Sequence, residues 1–161
     1  MIVSNTTPIS NFLLLNRIDI LKQLFKEIHI SQTVKYEIED FFSTHEDWQQ
    51  SLHEGFIVVH QVQHHFMLKQ FLNVLHPGEA ETLCLCMEHN AQLCLVDDKN
   101  ARAFAEFNNI KISGTLGILI AAKKKGVIEV VKPFMDMLRT KHRFWISDNM
   151  YEKVLQTSHE E

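Results

Sequence analysis

An apolar run that ends in two adjacent acids constrains the fold of this chain more than any other feature. Residues Leu93–Val96 lead directly into Asp97 and Asp98, and residues 99–107 then show the apolar spacing of a helix. A short continuous apolar run is typical of a strand that is buried on both faces, as in the centre of a parallel sheet. Open α/β sheets bind ligands outside the carboxyl ends of their strands, and two neighbouring carboxylates repel each other unless a cation or a proton neutralises one. The junction therefore predicts a binding site.

Length, composition and charge exclude several classes of protein. The chain has 161 residues, of which 45% are hydrophobic, enough for one domain with its own core. Its longest apolar stretch, around residues 118–122, is too short to span a bilayer, and its first residues lack the pattern of a secretory signal. Cys84, Cys86 and Cys94 lie in apolar segments, which favours reduced thiols in a cytoplasmic protein. The net charge of -4 excludes a general positive field, so nucleic-acid binding would need a local patch.

The rest of the chain alternates short apolar runs with amphipathic segments. The predicted strands share this short apolar character and lie at 2–5, 27–30, 56–59, 93–96 and 110–112. Helices are predicted between them, and residues 127–131 and 133–140 also read as helical. The alternation predicts an α/β fold, a three-layer α/β/α sandwich with a mainly parallel central sheet. We expect one domain over 1–161, with 133–161 as a C-terminal helical extension that packs on it.

Other polar residues fall where they could join the acid pair. Ser4, Asn5 and Thr6 follow the first predicted strand, before a helix that we expect Thr7 to cap with Pro8 at its first position. On helix 32–42, an apolar stripe is expected. Its members are Val34, Ile38, Phe41 and Phe42.

Two further acids lie on the predicted helices. Glu37 falls on the edge of the stripe, where it either points inward or packs its stem while its head stays in water. Glu79 lies in the first turn of a helix that begins near Pro77. There it either overhangs the sheet edge near Asp97 or simply complements the helix dipole.

These side chains define a candidate metal site. Its members offer carboxylate or amide oxygens and are Asn5, Glu37, Glu79, Asp97 and Asp98. Hard oxygen ligands suit Mg²⁺ or Mn²⁺ better than zinc, and such a site can activate water and neutralise a phosphodiester. The histidines are the alternative ligands, with His60 and His64 at a chelating spacing, but no ligand set closes around them, so we interpret them as surface and loop residues.

Three residues near these acids could contact a phosphate backbone. Thr115 opens a helix, whose N-terminal amides favour anions. Lys99 and Arg102 follow the acid pair on the next helix, where a solvated helix face is the more ordinary interpretation of such cations.

Four sequence blocks resemble successive motifs of the PIN-domain family, in that family's order. They are Val3–Ile9, Pro77–Glu81, Leu95–Arg102 and Gly114–Leu119. The chain is similar to a prokaryotic group of PIN-like proteins related to VapC-type toxins. The resemblance implies Mg²⁺- or Mn²⁺-dependent ribonuclease activity, RNA as substrate and often a small antitoxin partner.

The family's metal and catalytic positions fall on the same residues that form the candidate site. The resemblance assigns them to Asn5, Glu37, Glu79 and Asp97, with Asp98 beside Asp97. It also implies that Ser4, Asn5 and Thr6 orient a metal-bound water or a phosphate. A typical PIN nuclease has aspartate where this chain has Asn5, and an amide brings an oxygen but no charge. Two hypotheses follow: a metal-dependent ribonuclease, the toxin of a toxin–antitoxin pair, or a weak or inactive relative that binds RNA or a protein. Apolar residues between 56 and 67 would serve either the core or a homodimer.

Overall fold

Five parallel strands form the centre of the computed structural model, which describes residues 1–161. They are β1 (Ile2–Ser4), β2 (Ile28–Ser31), β3 (Ile57–His60), β4 (Leu93–Leu95) and β5 (Ile112–Ser113). Their order across the sheet is β3-β2-β1-β4-β5, and every neighbouring pair is parallel. β1 and β4 therefore lie side by side in the middle, with Ser4 opposite Leu95.

Ten helices connect and cover the strands. They are α1 (Thr6–Leu14), α2 (Ile18–Leu24), α3 (Gln32–Phe42), α4 (Glu46–His53), α5 (His65–Phe71), α6 (Pro77–Glu88), α7 (Lys99–Phe107), α8 (Thr115–Lys124), α9 (Lys132–Thr140) and α10 (Asp148–Thr157). Side-chain caps explain several of the starts, because a Ser or Asp oxygen satisfies a free amide of the first turn. Ser31 accepts from the backbone of α3, Asp98 from that of α7 and Ser147 from that of α10.

Two apolar clusters lie on opposite faces of the sheet. The larger one contains Ile28 and Ile30 of β2 with apolar side chains of α1, α2, α8 and α9. The smaller one contains Val3 and Cys94 with apolar side chains of α5, α6 and α7. Successive side chains of a strand point to opposite faces, and the central strands β1 and β4 accordingly contribute apolar side chains to both clusters. The predicted three-layer α/β/α sandwich is confirmed, and its sheet is entirely parallel.

The C-terminal helices share the larger cluster. Met135 and Leu138 of α9 and Val154 and Leu155 of α10 are buried in it. The segment between these two helices, residues 141–147, is neither helix nor strand and includes Arg143 at a φ of 54°. Its residues Phe144–Ser147 form part of the lining of a groove that also borders α7 and α8.

Some local predictions were wrong. Residues 127–131 are not helical, and α9 begins at Lys132. Asn5 rather than Thr7 precedes the first helical residue, so Pro8 lies at the third helical position. Phe41 has the helical phase of Val34 but is 85% exposed, because its ring borders an open hollow beside α1 instead of meeting another layer.

Other local predictions were confirmed. Cys84, Cys86 and Cys94 are all free and buried. No helix has both the length and the apolarity that crossing a membrane requires.

Candidate functional site

The acid pair lies at the carboxyl ends of the two central strands. The order of the sheet puts β2 on one side of β1 and β4 on the other, so the gap between β1 and β4 is the point where the connections change direction. Doubly wound sheets bind their ligands at this point. The backbone N–H of Asn5 donates to the carbonyl of Leu95 at 2.9 Å, which holds the end of β1 beside the end of β4.

Asp97 is held by two donors from one residue at the start of α8. Its Oδ1 accepts the backbone N–H of Thr115 at 2.8 Å, and its Oδ2 accepts the Thr115 hydroxyl at 2.6 Å. The Thr115 hydroxyl in turn accepts from Nδ2 of Asn11 on α1 at 3.0 Å. Because both donors of the fully buried Thr115 point at Asp97, neither is free for a phosphate, and the residue instead fixes the orientation of the carboxylate.

A glycine allows the Asp97 carboxylate to reach α8. A Cβ atom on Gly114 would lie 2.5 Å from Oδ1 of Asp97, which is closer than any stable contact. Burial raises the pKa of Asp97, while the two Thr115 hydrogen bonds and the charge of Arg102 oppose that rise. The site thus holds a carboxylate whose charge is poorly solvated, which favours a cation nearby.

The second acid, Asp98, lies directly before α7, and two cations, Lys99 and Arg102, lie in the first turns of that helix. Asp98 is exposed and its Oδ1 accepts the backbone N–H of Ala101 at 2.9 Å, so it caps α7. Arg102 donates from Nη1 to the carbonyl of Val96 at 3.0 Å. Lys99 is exposed, forms no ion pair and is free to meet an anion.

The end of β1 carries an oxygen without a partner. Asn5 is 5% exposed, and its Oδ1 is buried without a hydrogen bond. A buried polar atom of this kind usually costs free energy, and in native proteins it calls for an explanation such as an ion or water. Ser4 is fully buried, and its hydroxyl donates to the backbone carbonyl of Asn5 at 2.8 Å, so it supports the strand end from beneath.

Glu37 reaches the site from α3. The hydroxyl of Thr6 donates to its Oε2, which links α3 to the first residue of α1. Its carboxylate lies against Gly78 of α6, where an added Cβ would be 2.5 Å from both oxygens. Of the two alternatives for Glu37, the inward orientation is the one that the structure contains.

Glu79 reaches the site from the first turn of α6. Its Oε2 accepts the backbone N–H of His76 at 3.1 Å. Burial raises the pKa of Glu79, the hydrogen bond from His76 lowers it, and the negative charges of Asp98 and Glu37 raise it further. Glu37 on α3, Glu79 on α6 and Asp98 at the start of α7 therefore lie near enough for their charges to affect one another.

The donor types at this edge suit a hard divalent cation. Carboxylate and amide oxygens are what Mg²⁺ and Mn²⁺ prefer, and the unpaired Oδ1 of Asn5 is a free ligand atom. However, no three His, Cys, Asp or Glu side chains form a group that could hold a metal ion directly. Each of the four carboxylates accepts a hydrogen bond from the protein. The chemistry of the set therefore fits the cation, whereas the side chains are not arranged as a closed cage.

The histidines do not offer a second metal site. His60 ends β3, and its Nε2 lies 2.7 Å from Nδ1 of His29, while His64 precedes α5 and offers its backbone N–H to Glu88. His60 and His64 therefore have different partners and do not face each other as a pair.

Three residues of the site were missed in the sequence. Gly78 and Gly114 lie next to Glu79 and Thr115, and both leave room for a carboxylate from another element. A glycine directly beside a candidate acid or hydroxyl is the signal that indicates such a close approach. Asn11 interrupts the apolar face Ile9–Leu13 of α1 and is 4% exposed, and a buried amide of this kind signals a fixed partner.

Comparison with known proteins agrees with this geometry. The family model DUF3368, described as a PIN domain, matches residues 1–160. No curated protein matches the chain significantly. The match covers every strand of the sheet and all the residues at its central edge, and on this evidence the chain belongs to the PIN-domain family.

Proposed function

We propose that this protein is a metal-dependent ribonuclease that hydrolyses phosphodiester bonds at the carboxyl ends of β1 and β4. The observation that carries the proposal is the combination of the neighbouring acids Glu37, Glu79 and Asp98 with a buried, unpaired Asn5 oxygen at the end of β1. The chain also belongs to the PIN-domain family, which indicates a nuclease fold. The metal, the RNA substrate and the residue roles below are our own proposals.

The chain's residues divide into those that hold the cation and those that position them. Asp97 and Glu79 are the proposed main metal ligands, directly or through water, with Asn5 as a neutral oxygen beside them. Glu37 and Asp98 are proposed to hold the charge and the water around the ion. When bound, Mg²⁺ or Mn²⁺ supplies a water with a lowered pKa and offsets the charge that develops on the phosphate.

Other residues act through these ligands or on the substrate. Thr115 and Asn11 fix the rotamer of Asp97, and Thr6 fixes that of Glu37. Lys99 is the free cation next to the acids, so it is the proposed contact to a phosphate on the neighbouring nucleotide. Arg102 holds the end of β4 and offsets the Asp97 charge.

We further propose that the ribonuclease is the cytoplasmic toxin of a toxin–antitoxin pair, with a small antitoxin protein as partner. The support is the resemblance of the four sequence blocks to VapC-related proteins. The second candidate is a catalytically weak PIN protein that acts by binding RNA or a protein. Two observations favour it: the uncharged Asn5 at the end of β1, and the absence of a closed ligand cage.

Cleavage by metal-stripped protein separates the two candidates. A labelled single-stranded RNA is incubated with the protein, with and without added Mn²⁺, beside an Asp97→Asn variant that is purified in the same way. We expect cleavage only with Mn²⁺. Loss of a residue that hydrogen-bonds to a metal ligand costs about 10–100-fold in activity, so loss of the charge of the ligand itself should cost more than about 100-fold.

Two results would contradict the ribonuclease. Equal cleavage by Asp97→Asn would indicate a contaminating nuclease, since the variant keeps the surface but loses the charge. Absence of cleavage over a broad set of RNA sequences, together with no Mn²⁺-dependent rise in melting temperature, would favour the binding protein.

A further inference from the structure

Three histidines meet at the edge of the sheet, outside the candidate site. His29 lies in β2, His60 is the last residue of the edge strand β3, and His89 directly follows α6. The ring centroids of His29 and His60 are 5.0 Å apart, and those of His60 and His89 are 5.5 Å apart. The proposed ribonuclease uses none of these rings, so their arrangement calls for a separate explanation.

Both ring nitrogens of His29 have a partner. Its Nε2 lies 3.1 Å from Oε1 of Glu27, and its Nδ1 lies 2.7 Å from Nε2 of His60. Because a carboxylate only accepts hydrogen bonds, Nε2 of His29 carries a proton and donates to Glu27. A neutral His29 ring has no second proton, so its Nδ1 accepts a hydrogen bond from Nε2 of His60. In the neutral pair, the proton between the two rings therefore belongs to His60.

The contact between the two rings limits how many protons the pair can carry. The neutral pair has one proton on Nε2 of His29 and one between the rings. A further proton fits on Nδ1 of His60, because the contact then still holds one proton and one lone pair. Yet another proton would set an N–H of each ring against the other at 2.7 Å, and the contact would break. The hydrogen bond therefore survives only while one of the two rings is neutral.

Charged groups from the neighbouring elements surround the pair. Glu27 precedes β2, and Glu88 and His89 come from the C-terminal end of α6. Burial lowers the pKa of His60, and the positive charges of His29 and His89 lower it further. The negative charges of the two glutamates oppose this change. Since His29 is only 8% exposed, a positive charge on the pair is poorly solvated, which favours the neutral pair near pH 7.

The carboxylate of Glu88 offers a second partner for the cluster. Its Oε1 accepts the backbone N–H groups of Gln63 and His64 at 2.9 Å and 2.6 Å. Its Oε2 is buried without a hydrogen-bond partner, and its charge acts on His60. A buried carboxylate oxygen without a donor is unfavourable and gains most from a new, positively charged donor. A protonated His60 is such a donor.

We propose that His29, His60 and Glu88 form a pH switch in which His60 exchanges partners. Near neutral pH, His60 donates to Nδ1 of His29. When mild acid protonates both rings with protons from solvent, this contact breaks, and His60 donates instead to the unpaired Oε2 of Glu88. The cluster then loses one hydrogen bond between rings and gains one charge-assisted hydrogen bond to a carboxylate.

The exchange moves the end of the edge strand. In the neutral state, His60 pairs with Ser31 in the last register position of β2 and β3, and its ring bonds to β2. In the protonated state, its ring bonds to α6, where Glu88 already holds the backbone of residues 63 and 64. We therefore expect acid to loosen the end of β3 from β2 without releasing the following segment from α6.

NMR spectra of the wild-type protein test both states. Long-range ¹H–¹⁵N spectra distinguish the two nitrogens of each imidazole and show which one carries a proton. Near pH 8 we expect the protons of His29 and His60 on Nε2 of each ring. As the pH falls to about 5, amide hydrogen exchange of residues 59–61 should speed up relative to the intrinsic rate, whereas that of residues 63 and 64 should not.

Glu88→Gln tests the second partner. The amide keeps an oxygen for the backbone of Gln63 and His64 but removes the negative charge that attracts a proton to His60. We expect the midpoint of the His60 titration to fall by about one pH unit, which corresponds to one charge-assisted hydrogen bond. Glu129→Gln is the matched control at an exposed glutamate and should leave the midpoint unchanged.

His60→Gln tests the first partner. Glutamine offers an N–H at neutral pH and can turn its carbonyl oxygen toward a protonated His29, so its contact survives in acid. Because the pKa of His60 is lowered from 6.5 in the folded protein, the unfolded chain binds more protons below that pH, and the wild type loses stability there. Between pH 8 and pH 5, the melting temperature of the wild type should fall about 1–3 °C more than that of the variant.

Three results would overturn the switch. A neutral His29 with its proton on Nδ1 would contradict the direction of the hydrogen bond. An equal titration midpoint in the wild type and Glu88→Gln would show that Glu88 is not the second partner. Parallel melting curves of the wild type and His60→Gln across this pH range would show that the pair does not respond to pH. None of these measurements needs RNA or a metal, so the switch and the ribonuclease stand or fall separately.

Discussion

The ends of β1 and β4 lie side by side, but they are built in opposite ways. At the end of β4, Asp97 carries a charge, and both of its oxygens accept hydrogen bonds from Thr115. At the end of β1, Asn5 is neutral, and its buried Oδ1 accepts none. One strand end thus has a charge that the protein orients, and the other has an oxygen that the protein leaves unsatisfied.

This difference indicates that the two strand ends have different roles in binding a cation. An oriented carboxylate is a preorganised ligand, because little entropy is lost when a cation binds it. An unsatisfied amide oxygen gains most from a new partner, because it already lacks the hydrogen bond that water would give. We infer that β4 supplies the charge that attracts a cation and that β1 supplies an additional oxygen once the cation is present.

Thr115→Val tests the orienting half of the comparison and should have the largest effect. The variant removes the hydroxyl that donates to Asp97 and accepts from Asn11. We expect Mn²⁺ affinity and RNA cleavage to fall about 10- to 100-fold, as for other outer partners of metal ligands. Stability should fall by about 1–3 kcal/mol, because the buried Asn11 amide loses its acceptor.

Thr115→Ser is the matched control, measured by isothermal titration with Mn²⁺ and by RNA cleavage. It keeps the hydroxyl and should restore both. If Val and Ser variants lose activity equally, the hydroxyl does not orient Asp97, and shape alone explains the site.

Gly78→Ala tests whether the site needs the acid that faces the two strand ends. The new methyl would collide with both oxygens of Glu37, which can swing away because they are the end of a flexible side chain. We expect the melting temperature to change little and RNA cleavage to fall by roughly 10-fold, within the range for displaced outer partners. Unchanged cleavage would show that the position of the Glu37 carboxylate does not affect the reaction.

Much of the fold was readable from the sequence, because apolar periodicity decides which face is buried. The run before Asp97 predicted a central strand, and Pro77 predicted the start of a helix, and the structure contains both. Phe41 shows the limit of this reasoning. Its phase on α3 is that of a core residue, but periodicity does not show where a neighbouring layer ends, and the ring is exposed.

The site was readable in its residue types but not in its contacts. Placement at strand ends and first helical turns put Asn5, Glu79 and Asp97 at one edge, since parallel strands share their carboxyl ends. The use of Thr115 to bind Asp97 instead of a phosphate depends on a distance between β4 and α8, which no local pattern contains. The same is true of Gly78 against Glu37.

Asn5→Asp would make the two strand ends alike. A carboxylate there adds a charged ligand beside Asp97, so Mn²⁺ affinity and cleavage should rise several-fold. Without metal, the new charge is 95% buried if it takes the place of the amide, which is 5% exposed, and burial of an unpaired charge is unfavourable. The melting temperature in EDTA should therefore fall, and added Mn²⁺ should restore it. No change in metal affinity would place Asn5 outside the site.

Glu79→Gln tests the crowding of acids around both strand ends through a small change in melting temperature in the absence of metal. Burial and the charges of Asp98 and Glu37 hold the pKa of Glu79 above its ordinary value of 4.5. Between that value and the raised one, the folded protein binds more protons than the unfolded chain, so the wild type gains stability as pH falls through this window. Glutamine carries no charge at any pH. The variant should therefore melt about 1–3 °C higher than the wild type near pH 8 in EDTA, and this difference in melting temperature should close toward pH 4.

Added Mn²⁺ should reverse the order of the two melting temperatures near pH 8, because only the wild type keeps the charge of the ligand. Glu129→Gln, at an exposed glutamate without hydrogen bonds, should show neither effect. A Glu79→Gln curve that follows the wild type at every pH would mean that the acids do not act on one another, and the shared edge would lose its electrostatic reason to bind a cation.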